Sequence, residues 1–262
     1  MRRGRRALIP RPIASLIGDG DLEPVEIGRT QATVFRIRRR GQQTIFLKCS
    51  PLTACDVLAE EAKRLDWLQR RLSVPRVISF STHDGWEYLV TTALAGVNGV
   101  DAGSKDPAIV VNGLANALSQ LHARAVDGCP FDERRDARVA RAYARLQNGC
   151  VDETDFDEER HGLTAAQVWN ELETHPPLSE EPVLTHGDPC LPNILFDGER
   201  VTGFVDCGRV GLADAYQDLA LASRSIAGNL GEKWVEPFFT MYGLHALDDQ
   251  KLRFYRLLDE FF

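Results

Sequence analysis

Between residues 33 and 49 apolar and polar positions alternate with a period of two. Thr33-Val-Phe-Arg-Ile-Arg38 and Thr44-Ile-Phe-Leu-Lys48 flank a turn at Arg40-Gly41, a pattern that predicts a β-hairpin with Ile45 and Leu47 on one face and Phe46 and Lys48 on the other. From about Asp56 to Arg71 the period lengthens to that of a helix, with Leu58, Leu65 and Leu68 forming the apolar stripe. Glu61 falls three residues after Leu58 and four before Leu65, on the buried side, whereas Glu60 is rotated about 100° away. Arg76-Val-Ile-Ser-Phe80 and Trp86-Glu-Tyr-Leu-Val-Thr-Thr92, joined at Asp84-Gly85, read as two more strands. The result is a small α+β unit of four strands, or five if Val25-Glu-Ile27 begins the sheet.

Beyond Thr92-Ala-Leu-Ala-Gly96, which reads as a connector, the pattern turns helical. Helices are predicted from Pro107 to His122, from about Arg134 to Leu146, and over 213–227, 232–242 and 249–262. Three short apolar runs interrupt them: Pro182-Val-Leu-Thr185, Ile194-Leu-Phe196 and Val201-Thr-Gly-Phe-Val205. Asp197-Gly198 between the last two predicts a second hairpin. His122 reads as a packed or capping histidine.

With 262 residues, 44% of them hydrophobic, the chain is long enough to bury a proper core. The net charge of −7 is unevenly spread. The first fifty residues carry eleven Lys/Arg against four Asp/Glu, and residues 151–188 carry eleven Asp/Glu against one Arg. Such an acidic block suits a cationic substrate and repels nucleic acid. No stretch approaches the length of a membrane span. The basic head of the chain lacks the apolar run of a signal peptide and is interrupted by Pro10 and Pro12. Six cysteines, at 49, 55, 129, 150, 190 and 207, show no metal-binding spacing and read as reduced thiols of a cytoplasmic protein.

The chemistry gathers around His186-x-Asp188, Asn193 and Asp206-x-Gly208. The second hairpin would return Asp206 to the side of Asn193 and Asp188, bringing together two metal-binding oxygens and one proton acceptor. Phosphoryl transfer from a nucleoside triphosphate needs this set: Mg²⁺ ligands against phosphate charge, and a carboxylate to position the attacking hydroxyl. Lys48, the only lysine among the first sixty residues, supplies the cation that a buried-face Glu61 requires. In Ile27-Gly-Arg-Thr-Gln-Ala32, backbone amides and the Thr30 hydroxyl could approach phosphate oxygens, although the single glycine is no fingerprint.

The His-x-Asp, Asn and Asp-x-Gly spacing resembles the catalytic loop and metal-binding turn of the protein-kinase-like fold, in the form used by aminoglycoside and choline kinases. Gly187 replaces the arginine of the protein-kinase loop and Cys207 the phenylalanine of its metal turn, which argues against a protein kinase. Thr185–Asn193, Gly203–Gly211, Ala213–Ala220 and the ending Phe254-Tyr-Arg-Leu-Leu-Asp-Glu-Phe-Phe262 are together similar to the bacterial aminoglycoside 3′-phosphotransferases, the kanamycin and neomycin kinases.

That resemblance implies an α+β chain with a two-lobed protein-kinase-like fold. A small β-rich nucleotide-binding lobe would occupy residues 1–95, with a hinge near 92–96. A mainly helical lobe, 96–262, would carry catalysis and aminoglycoside binding. It implies Asp188 as the catalytic carboxylate, Asn193 and Asp206 as Mg²⁺ ligands, and Lys48 with Glu61 on the triphosphate. The Thr92 carbonyl and Leu94 amide would take the adenine. Asp155, Asp157, Glu158, Asp259, Glu260 and the terminal carboxylate of Phe262 would bind drug amines, with Arg209 and Arg224 ordering those carboxylates or meeting drug hydroxyls. The implied partners are an aminoglycoside antibiotic, ATP (GTP possible) and Mg²⁺, on a monomer or weak dimer, with antibiotic resistance as the outcome. Ser225 and Gly228 stand where some relatives carry acids. Another small-molecule kinase, of choline, homoserine or macrolide type, and an inactive drug binder are the alternatives; the acidic block and ending favour a polycation over the first, and intact Lys48, Asp188, Asn193 and Asp206 oppose the second.

Overall fold

A computed structural model of the chain describes residues 9–25, 32–53, 55, 57–174 and 176–262. The chain divides into two compact units, Met1–Leu94 and Ala95–Phe262.

In the first unit, five antiparallel strands, β1 (Asp21–Val25), β2 (Thr33–Arg38), β3 (Ile45–Pro51), β4 (Val77–His83) and β5 (Trp86–Thr92), lie in the order β1-β2-β3-β5-β4. The alternation read in 33–49 is the alternation observed: Ile45 and Leu47 are buried, while Phe46 and Lys48 are half-buried. Asp84 and Gly85 both adopt positive φ, 47° and 78°, as a tight two-residue hairpin turn requires. One sheet face packs against α1 (Arg11–Ile17), where Ile13 and Ile17 join Phe35, Ile37, Ile45, Leu47 and Val90 in a core. The pattern of Pro10-Arg-Pro12 had suggested a break. The structure places a proline in the first turn of α1, where its fixed φ and missing N–H cost nothing. The other helix, α2 (Leu58–Leu68), buries Leu58, Leu65 and Leu68 as its stripe requires.

The second unit is mainly helical: α3 (Gly99–Gly103), α4 (Pro107–His122), α5 (Arg135–Gln147), α6 (Ala165–Thr174), α7 (Ala215–Leu230), α8 (Val235–Tyr242) and α9 (Asp249–Asp259). Its core is built on Val110, Leu114 and Leu118 of α4, Leu219 and Leu221 of α7, Phe238 of α8 and Leu252, Tyr255 and Leu258 of α9, all buried. Two small antiparallel sheets carry the site. One pairs β7 (Pro182–Thr185) with β10 (Gly211–Asp214). The other has the order β6-β8-β9, from β6 (Val97–Asn98), β8 (Ile194–Asp197) and β9 (Arg200–Phe204). The predicted hairpin is present, with its turn one residue later than read, at Gly198-Glu199 between paired Asp197 and Arg200. The helix expected from residue 213 begins two residues later, because Gly211–Asp214 pairs with β7 first and Asp214 then caps α7 by accepting the Tyr216 amide at 2.9 Å.

Cys49, Cys129, Cys190 and Cys207 are free thiols. Cys55 and Cys150 are disulfide-bonded, which corrects the expectation of six reduced cysteines. Among the described residues no helix is long and apolar enough to cross a membrane.

Candidate active site

In the first unit, strand alternation turns Lys48 toward the α2 face of the sheet, and helical periodicity turns Glu61 toward it. Lys48 Nζ lies 2.8 Å from both Oε1 and Oε2 of Glu61. The Glu61 side chain is 7% exposed and that of Lys48 20%. At this burial a carboxylate and an ammonium each need an opposite charge, and here they supply it to one another. Glu60 points away and pairs instead with Lys63 and Arg64; its carboxyl is lowered by the Lys63 hydrogen bond first. Thr92 closes β5, buried, its hydroxyl accepting the Arg76 amide at 2.9 Å, and Leu94 lies just past the strand. Thr30 lies outside the described residues.

In the second unit, β7 delivers the chain to His186-Gly187-Asp188, and a single 3₁₀ turn over Leu191–Asn193 leads into β8. The Asn193 side-chain amide donates to the Asp188 carbonyl and to its Oδ2, both at 3.0 Å. The Val205 amide donates to the Asn193 carbonyl at 2.9 Å, so the β8–β9 hairpin places Val205 opposite Asn193 and Asp206 one residue beyond it. Asp206 adopts φ 58°, an uncommon conformation for a residue with a side chain and one that functional turns accommodate. With its Nδ2 committed to Asp188, Asn193 keeps Oδ1 as a neutral oxygen donor. An amide oxygen and a carboxylate are the hard, sparse donor set that suits Mg²⁺, which takes most of its remaining ligands from phosphates and water. No cluster of three or more His, Cys, Asp or Glu side chains fit for a metal occurs among the described residues.

The turn is held from beneath. Asp218 of α7, fully buried, accepts the His186 amide through Oδ2 and the Gly187 amide through Oδ1, each at 2.7 Å. Its Oδ2 also receives His122 Nε2 at 3.0 Å, and His122 Nδ1 lies 2.8 Å from the Tyr242 hydroxyl. His186 Nε2 donates to the Val205 carbonyl at 3.1 Å, leaving Nδ1 to accept the Asp188 amide at 3.2 Å. Gly187, at φ 85°, has no room for a side chain: a Cβ there would stand 2.2 Å from the Arg209 carbonyl oxygen. Cys190 is half-buried beside Asp188; loss of solvent first, then that carboxylate, push its thiol well above the ordinary range, so it stays neutral.

A second cluster forms at the C-terminus. Asp259 is held on both oxygens by the chain's own arginines, Oδ1 by Arg209 at 3.0 Å and Oδ2 by Arg224. Burial alone would raise its carboxyl, but Arg224, Arg209 and Arg138 keep it below the usual range. Arg224 also reaches Glu260 Oε1 at 3.3 Å, while Glu260 Oε2 accepts the Asp157 amide at 3.3 Å. Burial first, and Asp157 next, push the Glu260 carboxyl up to about 8. Asp157 is bridged to buried Arg160. The Phe262 ring lies under the Arg138 guanidinium at 4.2 Å and near those of Arg145 and Arg209, both at 5.4 Å. Arg138 is fully buried, and burial lowers it to about 10.

Carboxylates at a helix C-terminus oppose the helix dipole and need a compensating cation. For Asp259 the compensation is internal, from Arg209 and Arg224. Asp157, Asp259, Glu260, Arg209, Arg224 and Phe262 are thus gathered in one cluster. Asp155 is half-buried in a neighbouring turn and Glu158 is exposed. Asp218, Arg138 and Arg160 carried no sequence reading as site residues. For Asp218 the available signal was a charge set among Leu219, Ala220 and Leu221, where only a partnered carboxylate survives.

The fold and these turns define a phosphotransferase of protein-kinase-like architecture. The model of the phosphotransferase enzyme family matches residues 21–257. An aminoglycoside 3′-phosphotransferase of Escherichia coli is 36% identical over 242 residues, 90% of this chain and 88% of its own. The crystal structure of an aminoglycoside 3′-phosphotransferase of type VIII superposes with a TM-score of 0.85 at 35% identity, covering 96% of this chain and 97% of that one. An aminoglycoside phosphotransferase of Streptomyces rimosus, solved with ADP and streptomycin, gives 0.80 at 27% identity, covering 95% of each. The chain belongs to the phosphotransferase enzyme family, among relatives that are aminoglycoside 3′-phosphotransferases.

Proposed function

We propose that the protein phosphorylates the 3′-hydroxyl of aminoglycosides of the kanamycin and neomycin class at the expense of ATP, and so confers resistance to them. The observation that carries this reading is the Asp188–Asn193 hydrogen bond inside a turn anchored by Asp218. It gives a carboxylate of fixed direction next to an oxygen donor for a metal.

In the proposed reaction Asp188 orients the 3′-hydroxyl and takes its proton as the oxygen attacks the γ-phosphorus. The bond from that phosphorus to the β,γ-bridging oxygen breaks in line, and ADP leaves. Lys48, kept extended by Glu61, sets the α- and β-phosphates. Asn193 and Asp206 would hold Mg²⁺, whose chemistry is to neutralise phosphate charge. Most of the acceleration then comes from positioning and preset charge rather than covalent chemistry.

An aminoglycoside brings several hydrated ammonium groups, and a site that strips their water must return charge-assisted hydrogen bonds. Glu260, Asp157, Asp155, Glu158 and the Phe262 carboxylate are proposed for that role. Asp259, already neutralised, shapes the cluster through Arg209 and Arg224.

The deciding experiment is ADP release from Mg·ATP with kanamycin and, separately, with its 3′-deoxy relative tobramycin. Turnover with kanamycin alone is expected. Turnover with both would move the site of attack to another hydroxyl, and silence with both, in protein that binds ATP, would overturn the substrate class.

A further inference from the structure

Helix α2, which carries Glu61, begins with a deficit. Its N-cap residue, Val57, has the extended backbone of a cap (φ −108°, ψ 116°) but no side-chain acceptor. The first amides of a helix need acceptors from outside it. The Leu58 amide finds one on another element: it donates to Oε2 of Glu87, in β5, at 2.7 Å. Glu87 is 4% exposed, and a carboxylate so buried is stabilised by the positive end of a helix.

The sheet register gives this contact a second meaning. Lys48 pairs with Leu89 and Ser50 with Glu87, so Lys48 and Glu87 stand on neighbouring strands and face the same side, toward α2. One turn of helix separates Leu58 from Glu61. The sheet therefore grips α2 at two points, through Glu87 on its first amide and through Lys48 on Glu61. Two grips fix both the height and the rotation of a short helix, where one would leave it free to slide or turn.

We propose that Glu87 is a positioning residue for nucleotide use: by capping α2 from the sheet it fixes Glu61 against Lys48. The inference rests on the reading that this pair sets the triphosphate, so both are tested together.

The experiment measures KM for Mg·ATP and for kanamycin in Glu87→Ala, Val57→Asp, the double variant and Glu61→Gln, with thermal melting alongside. Glu87→Ala is expected to raise the nucleotide KM roughly tenfold, as the loss of a helix cap would, and to leave the drug KM within about twofold. Val57 is exposed and already in cap geometry. Val57→Asp should therefore be silent alone but restore nucleotide KM in the double variant, because an acceptor at the N-cap takes the neighbouring Ala59 and Glu60 amides and so anchors the same first turn. Equal rises in both KM values, or no restoration, would overturn the proposal. If Glu61→Gln raises nucleotide KM and Glu87→Ala does not, the role of Glu87 fails alone; if Glu61→Gln is silent, the reading of the pair fails. Should Glu87→Ala not fold, Glu87→Gln replaces it, with a rise of about threefold reversed by Val57→Asp expected, and an unchanged nucleotide KM counting against the proposal.

Discussion

Asn193 holds Asp188 twice, by its carbonyl and by its carboxylate, each at 3.0 Å. In the proposed reaction the side chain that would offer an oxygen to the metal would therefore also aim the proton acceptor. Asn193→Ala should lose both functions at once, lowering kcat by roughly two orders of magnitude and raising the Mg²⁺ concentration for half-maximal rate. A Mg²⁺ titration of initial rates checks it. A slow variant with an unchanged Mg²⁺ requirement would leave Asn193 an orienting role only.

Gly187 faces the Arg209 backbone at a distance no side chain can share. Gly187→Ala combines a positive φ with a collision against main chain, so the turn must move. A loss of about 2–4 kcal/mol of stability is expected, with catalysis falling further than stability alone would explain. Chemical denaturation together with kcat at low temperature would decide; a variant of full stability would mean the segment at Arg209 gives way easily.

Asp218 accepts three hydrogen bonds with no exposure to water. Asp218→Asn turns one acceptor into a donor facing donors and removes a buried charge that His122 and two amides compensate. A cost on the order of 3 kcal/mol follows from breaking such a network. Denaturant unfolding measures it, and a shift under about 1 kcal/mol would show that the loop is anchored elsewhere.

Glu260 gives a pH dependence of unusual sign. Its carboxyl is raised from 4.5 to about 8 by burial and by Asp157, so the folded protein holds this proton more tightly than the unfolded chain. The stability it contributes is complete below about pH 4.5 and is lost as pH rises through about 8. Glu260→Gln should flatten that decline in a series of melting temperatures. A bound ammonium favours the charged carboxylate, so aminoglycoside binding near neutrality should release a proton from wild type and less from Glu260→Gln. Calorimetry in buffers of differing ionisation enthalpy reads the difference; equal proton release would assign the proton elsewhere.

The sequence was most legible where the chemistry follows local periodicity. The choice of Glu61 over Glu60 needed only the 3.6-residue repeat, and the return of Asp206 toward Asn193 needed only a two-residue turn between apolar runs. What stayed hidden depends on distance along the chain. Asp218 meets Gly187 and His186 across 31 and 32 residues and His122 across 96, separations at which no pattern operates. Helix α1 was obscured because Pro10 and Pro12 serve equally as a break and as a start. Helix α6 stood behind the acidic block, whose charge held the reading. Arg138 lies in the arginine-rich α5, where a solvated face is the default; the packed Phe262 ring and the carboxylates of Glu133 and Asp259 show why this one is buried.

Arg209 is a strut between two workplaces. Its backbone carbonyl abuts Gly187 in the turn that aims Asp188, and its guanidinium grips Asp259 at the C-terminus. A displacement at either end is therefore felt at the other through a single residue. If the C-terminal cluster takes a drug amine as proposed, aminoglycosides trimmed of that amine should be turned over more slowly even at saturation, because occupancy there would then help to hold the catalytic turn in line.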